Sequence, residues 1–227
     1  MTLADLTSAL NLQAEEKYRR FAASLIPGED DLLGVRLPAL RKLARQAARE
    51  DWLALFRALA DATCMELVML RGMLPGYAPY ATFEERLRAV ADFIPVIRNW
   101  SICDSCCSTW KFVRERRKET LDFLQSYILS EHEYEARFGV VMLLNHYVKE
   151  EAWAAEVAAL LPQVCCNAFY ARMAVAWCAC ELHLLHPKIA APIFPLLPDD
   201  THSMAIQKIR DSRRRPRPPQ FALDIPH

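Results

Sequence analysis

Apolar residues recur along this chain at helical rather than strand spacing. Leu3, Leu6, Leu10, Tyr18, Phe21 and Leu25 mark an opening helix over 2–24, which Pro27-Gly28 ends. Gly34-Val35-Arg36-Leu37-Pro38 leads into a helix from Pro38 to about Arg49. The proline sits in its first turn, where a missing amide donor costs nothing. A helix carrying Trp52, Leu55, Phe56 and Leu59 follows. Thr63 is placed to cap the next, which runs through Glu66 and Leu70 towards Pro75-Gly76. Thr82-Phe83-Glu84-Glu85 has the capping-box pattern, and its helix is expected to reach Ile97 with a kink at Pro95. Trp100 to about Val113 forms another, with later helices expected at 115–129, 131–149, 151–163, 167–186, 188–197 and 200–212.

Neither a sustained two-residue alternation nor an Asn-Gly or Asp-Gly pair occurs, so β-hairpins are not expected. About a dozen helices with short connections predict an all-α fold, an α-solenoid of antiparallel helix pairs. No composition shift divides residues 1–212, read as one domain, whereas 213–227 is a basic, proline-rich tail expected to be extended. The 53% hydrophobic and 25% charged content excludes a disordered chain. No apolar run reaches membrane-spanning length, and Met1-Thr2-Leu3-Ala4-Asp5 lacks a signal-peptide pattern. A cytoplasmic monomer without membrane contact is the expectation.

Candidate chemistry concentrates in Asn99-Trp100-Ser101-Ile102-Cys103-Asp104, which sets an indole and a carboxylate four residues apart on one helical face. Arg137 follows Trp100 by 37 residues and Trp177 follows Arg137 by 40, each gap close to one two-helix repeat. Residues one repeat apart project from equivalent helices, so these four are expected to line one groove.

The 8 cysteines include Cys103 and Cys106 in a CxxC and the adjacent pairs Cys106-Cys107 and Cys165-Cys166. No second CxxC or paired histidines complete a metal set, so they read as small core residues and no metal or cofactor is expected. Trp52, Trp110 and Trp153 read as core, Glu66 as a supporting acid, and the histidines as structural or surface groups.

Net charge is zero, but the charges are segregated. Residues 34–49 carry +5, 98–118 carry +4 and 207–217 carry +5, while 119–160 hold eight acids. Such a distribution fits a basic face with an acidic back, and also fits solvated helix faces without a partner. Lys42, Arg45, Lys111, Arg114, Arg172, Lys208 and Arg210 join Arg137 as phosphate-contact candidates.

Gly34-Val35-Arg36-Leu37-Pro38 with Leu40-Arg41-Lys42-Leu43-Ala44, then Asn99-Trp100 with Asp104-Ser105, Arg137, Met173-Ala174-Val175-Ala176-Trp177 and Gln207-Lys208-Ile209-Arg210 stand in one order. Together they resemble the DNA alkylation repair family, the HEAT-like-repeat DNA glycosylases of the AlkD type, over about residues 10–213. That resemblance implies a HEAT-like solenoid cradling duplex DNA that carries alkylated bases. It further implies excision of cationic N3- and N7-alkylated purines without flipping the base. Trp100 and Trp177 then match indoles contacting the lesion's deoxyribose, Asp104 the catalytic carboxylate, and Arg137 a phosphate-binding arginine.

The residues also admit plainer roles. Asp104 also reads as a helix-surface acid or a partner of Arg98 or Lys111, and Arg137 as a partner of Glu133 four residues before it. At the level of function the alternatives are a non-catalytic solenoid binding damaged or branched DNA, and a protein-binding scaffold.

Overall fold

The computed structural model describes residues 1–214, and residues 215–227 of the tail lie outside the described residues. Among them are thirteen α-helices, four 3-10 turns and no strand, the all-α architecture that the spacing predicts. The helices are α1 (Leu3–Asn11), α2 (Glu16–Leu25), α3 (Leu37–Ala47), α4 (Trp52–Ala58), α5 (Met65–Tyr77), α6 (Phe83–Phe93) and α7 (Trp100–Cys107). There follow α8 (Arg117–Ile128), α9 (Glu133–His146), α10 (Glu151–Leu160), α11 (Phe169–Leu185), α12 (Pro187–Ala190) and α13 (Asp199–Asp211). A 3-10 turn over Lys111–Arg116 follows α7.

Local signals account for several boundaries. Thr82 accepts from the Glu85 amide and Glu85 returns the bond to the Thr82 amide, so the capping box starts α6 as its sequence indicates. Pro95 falls in a 3-10 turn over Ile94–Val96 that ends this helix early. Asn99 caps α7 by accepting from the Ile102 amide.

Two expectations fail at the N-terminal end. The opening helix is broken into α1 and α2, because the extended Glu15 donates its amide to the Gly34 carbonyl at 3.1 Å. Thr63 does not cap α5: its hydroxyl donates to Asp31 at 2.7 Å, and Cys64 occupies the N-cap position. In both places a partner distant in sequence outcompetes the local pattern.

Alternate helices stack laterally, α3 on α5, α5 on α7, α7 on α9, α9 on α11 and α11 on α13. Helices α4, α6, α8, α10 and α12 flank this inner row from outside. Bonds between neighbouring repeats set the direction of its members. At their N-terminal ends the Met65 amide donates to Asp31 O, Arg98 to Thr63 O, and the Tyr170 amide to Glu133. At their C-terminal ends Arg45 lies over the Tyr77 ring, and His146 bonds Cys107 O. The inner helices are therefore parallel, with all N-termini along one edge. Arg41 of α3 also reaches across α5 to Ser108, 67 residues on, at 3.0 Å.

Close packing sets two special positions. A Cβ on Gly72 would stand 2.4 Å from the Phe93 ring and 2.5 Å from Cys106 Sγ, so only glycine lets α5 approach α6 and α7 here. Trp110, fully buried, donates its indole N–H to the Gly72 carbonyl at 2.8 Å, a core role as its sequence context suggests. Trp52 and Trp153 are half-buried against the same core.

Candidate functional site

Asp104 lies in the second turn of α7 and Arg137 in the second turn of α9, the next helix of the inner row. Lateral packing brings them together. Arg137 Nε–H donates to Asp104 Oδ1 at 2.9 Å and Nη2–H to Oδ2 at 2.7 Å, a two-bond fork that fixes the carboxylate plane. Nη1–H donates to the Tyr170 carbonyl at the start of α11, at 2.7 Å. All three guanidinium nitrogens are thus engaged within the protein, and the side chain is 4% exposed against 20% for Asp104.

The pairings with Arg98, Lys111 and Glu133 are not made. Arg98 bonds Glu29 at 2.8 and 2.9 Å, Lys111 is exposed, and Glu133 accepts from the Tyr170 amide at 2.7 Å. Burial raises the Asp104 pKa above the ordinary carboxylate value, and the Arg137 bonds oppose that rise. With a permanently charged guanidinium across it, the carboxyl is ionised at neutral pH.

Aromatic groups gather beside this pair. Trp100, one turn before Asp104, is half-buried and donates its indole N–H to the Leu25 carbonyl at 3.3 Å. Tyr134 and Tyr170 stack with centroids 6.0 Å apart and planes at 26°. With Trp100, Gly28 and Glu29 they line a cavity of about 250 Å³. Burial pushes the Tyr134 hydroxyl up to about 12, so it stays a neutral donor. These tyrosines escaped the sequence reading, although a 36-residue interval, one repeat, separates them as it does the other members. Trp177 is exposed on the face of α11 that Tyr170 begins, two turns further on.

Other acids have structural duties. Glu66 is 1% exposed and accepts from the amides of Leu33, Gly34 and Val35 at 2.7–3.1 Å. Gly34 holds φ +84°, the left-handed conformation that turns these amides towards one carboxylate. Glu29 takes Arg98 and the Asn99 side chain together, which ties the loop before α3 to the start of α7. Cys103, Cys106 and Cys107 are buried and unpaired. Desolvation raises the thiols of Cys106 and Cys107 well above their ordinary value, so they are unreactive fillers.

The basic candidates do not form one cluster. Lys42, exposed on α3, and Arg45 in its last turn lie towards the C-terminal edge of the inner row. Lys111 and Arg114 follow the end of α7, and Lys208 and Arg210 sit in the last turn of α13. Arg114 donates to His146 Nδ1 at 3.3 Å and to Asn145 O at 3.1 Å. The His146 ring donates from Nε2 to Cys107 O at 2.8 Å, and burial lowers its pKa to about 4, so it is neutral. Arg172, near the N-terminal edge, is ion-paired with Asp200. Lysines and arginines beside helix C-termini also complement the helix dipole, which explains their placement without a ligand.

The family model described as "DNA alkylation repair enzyme" matches residues 2–178, more than three quarters of the chain. The chain belongs to that family. It therefore has a role in the repair of alkylated DNA. The match covers α1 to α10 and the part of α11 that carries Trp177, so Trp100, Asp104, Arg137 and Trp177 all lie within it. No curated protein and no solved structure matches the chain. Among the described residues of this family member, no helix is long and apolar enough to cross a membrane.

Proposed function

We propose that this family member is a DNA N-glycosylase that hydrolyses the N-glycosidic bond of cationic N3- and N7-alkylated purines in duplex DNA. The observation that carries this reading is the Asp104 carboxylate, partly exposed and held in a fixed plane by two hydrogen bonds from a buried guanidinium.

Alkylation at N3 or N7 has already placed a positive charge on the purine, so the base leaves as a neutral molecule without protonation. The glycosidic electron pair passes to the purine, and positive charge develops on the deoxyribose. A fixed carboxylate stabilises that cation electrostatically, and it orients the water whose oxygen forms the new bond to C1′. The proton released by the water passes to the carboxylate or to solvent. The negative faces of Trp100 and Trp177 favour the same cation.

Arg137 acts in this scheme as a positioning residue. Its engagement with Asp104 and Tyr170 supports that role over a direct grip on phosphate. Phosphate contacts fall instead to exposed groups such as Lys42, Lys111 and Arg210. Methylated duplex DNA incubated with the protein and assayed for free 7-methylguanine and 3-methyladenine tests the activity. Release of both bases at a rate well above spontaneous loss is expected. Tight, salt-sensitive DNA binding without release would establish the non-catalytic reading in its place.

A further inference from the structure

A second constellation lies on the outer side of the inner row, remote from Asp104. In the outer layer α10 packs against α12, but no extensive contact joins α4 to α6. Helix α4 is only 7 residues long, and a cleft of about 380 Å³ opens between it and α6, floored by α5. That volume falls in the range typical of small-molecule sites, roughly 300–1,000 Å³.

Arg71 forms the floor and is 8% exposed. Its Nε–H donates to the Phe56 carbonyl at 3.2 Å, and its guanidinium lies 4.5 Å from the centroid of the Phe56 ring. Among the described residues its two terminal nitrogens have no hydrogen-bond acceptor and no carboxylate at ion-pair distance. Arg57 from α4 and Arg88 from α6 line the same cleft, and neither is in an ion pair among the described residues. Elsewhere Arg36, Arg98, Arg116, Arg117 and Arg172 each hold a carboxylate.

Among the described residues only one of the five N–H donors of Arg71 is used within the protein, which leaves four to offer an acceptor in the cleft. Asp92 and Glu85 also border the cleft, but Glu85 is committed to the Thr82 cap. Asp61 as well as Asp92 acts on Arg71 from beyond ion-pair distance, so three guanidiniums stand against three carboxylates and the cleft has no excess charge with which to hold a dianion. The remaining walls, Leu53, Phe56 and Ala89, are apolar.

We propose that this cleft binds a small organic monoanion, its carboxylate on the Nη groups of Arg71 and its apolar or aromatic body against Phe56. Two parallel N–H donors match a carboxylate's two oxygens. Because the cleft faces the outer layer, its occupancy leaves the inner face open to DNA.

Benzoate is the probe for the test, titrated into the full chain while arginine side-chain N–H resonances are followed by NMR, with calorimetry alongside. Saturable binding that shifts the Arg71 Nε–H resonance is expected. Acetate, lacking the ring, and phenyl phosphate, a dianion, should each bind about tenfold more weakly, and benzylamine not at all. Arg71→Gln should weaken benzoate binding about tenfold or more while leaving DNA affinity unchanged. If Arg71→Gln lowers the melting temperature substantially, the exposed double variant Arg57→Gln/Arg88→Gln carries the test. Its benzoate affinity should fall at least about threefold with unchanged melting. An unshifted Arg71 resonance at millimolar benzoate overturns the proposal. So does benzoate affinity that survives the Arg71 variant or, where that variant is unstable, the double variant.

Discussion

Arg137 and Arg71 occupy two regions that are chemically close and functionally opposite. Both are nearly buried, both sit on inner-row helices, and 66 residues, two repeats, separate them. Arg137 has a carboxylate across two of its nitrogens and a carbonyl on the third, so each nitrogen is engaged within the protein. Arg71 has one backbone carbonyl and an aromatic face, with its remaining donors turned to a cleft. The same side chain at similar burial is thus closed by a carboxylate in one place and left open to a cleft in the other, which suits the two roles proposed above. The difference lies in what the neighbouring helix supplies: α7 brings an aspartate, whereas α4 brings a phenylalanine.

The largest effect should come from breaking the closed pair. Arg137→Ala leaves Asp104 partly buried without its counter-charge, which should cost about 3–5 kcal/mol in urea unfolding. Arg71→Ala should cost less, about 1–2 kcal/mol, because it removes one hydrogen bond and the contact with the Phe56 ring but no ion pair. Equal losses for the two variants would erase the distinction.

A somewhat smaller effect should appear with acid. His146 is held neutral beside Arg114, with its pKa lowered from the ordinary 6.5 to about 4. A depressed pKa means the unfolded chain takes up the proton first, so this contribution is complete above pH 6.5. It is lost as pH falls from 6.5 towards 4, by about 3 kcal/mol in all. Stability measured across that window should fall steeply in the wild type and less steeply in His146→Gln. Parallel slopes would refute a neutral buried ring.

Asp104→Asn sharpens the contrast on the side of rate. It keeps the size of the group and removes its charge, so excision should drop about 100-fold, close to 2.7 kcal/mol, with DNA affinity little changed. In the wild type the rate should fall with acid at a pH above the ordinary carboxylate range, since burial raises the Asp104 pKa and the ionised form is the active one. Undiminished excision by the Asn variant would remove Asp104 from the mechanism.

The smallest expected change concerns the exposed cations. Lys42→Gln and Lys111→Gln should each reduce the log–log salt slope of DNA binding by about 0.9 if each side chain contacts one phosphate. Arg71→Gln should leave that slope unaltered. A shift with Arg71 and none with the lysines would reverse the assignment of the two faces.

The helices themselves were legible because their causes are local. Leu40, Leu43, Ala44 and Ala47 fall on one face of α3, Pro38 opens it, and Thr82 with Glu85 opens α6. Repeat length was legible too, since equivalent positions recur at the spacing of one helix pair. Trp100 and Asp104 stand on one face of α7 by helical geometry alone. At position 15 the local rules failed, because a hydrogen bond to Gly34 from outside the segment interrupts a continuous apolar period. Cysteine-rich α7 reads correctly as core from apolar context, without any tertiary information.

Sequence alone determined the fold class, the repeat and the inventory of groups: an ionisable carboxylate, two indoles and three basic segments. Tertiary structure alone decided who meets whom. The sequence offered Arg98 or Lys111 to Asp104 and Glu133 to Arg137, and lateral packing of α9 on α7 paired Asp104 with Arg137 instead. It likewise stacked Tyr134 on Tyr170 and left Arg71 facing a gap. The physical reason is range. Helix propensity and capping act within a turn or two of the chain, whereas an ion pair or a cleft depends on side chains from helices a repeat apart, whose approach follows from close packing of the whole row.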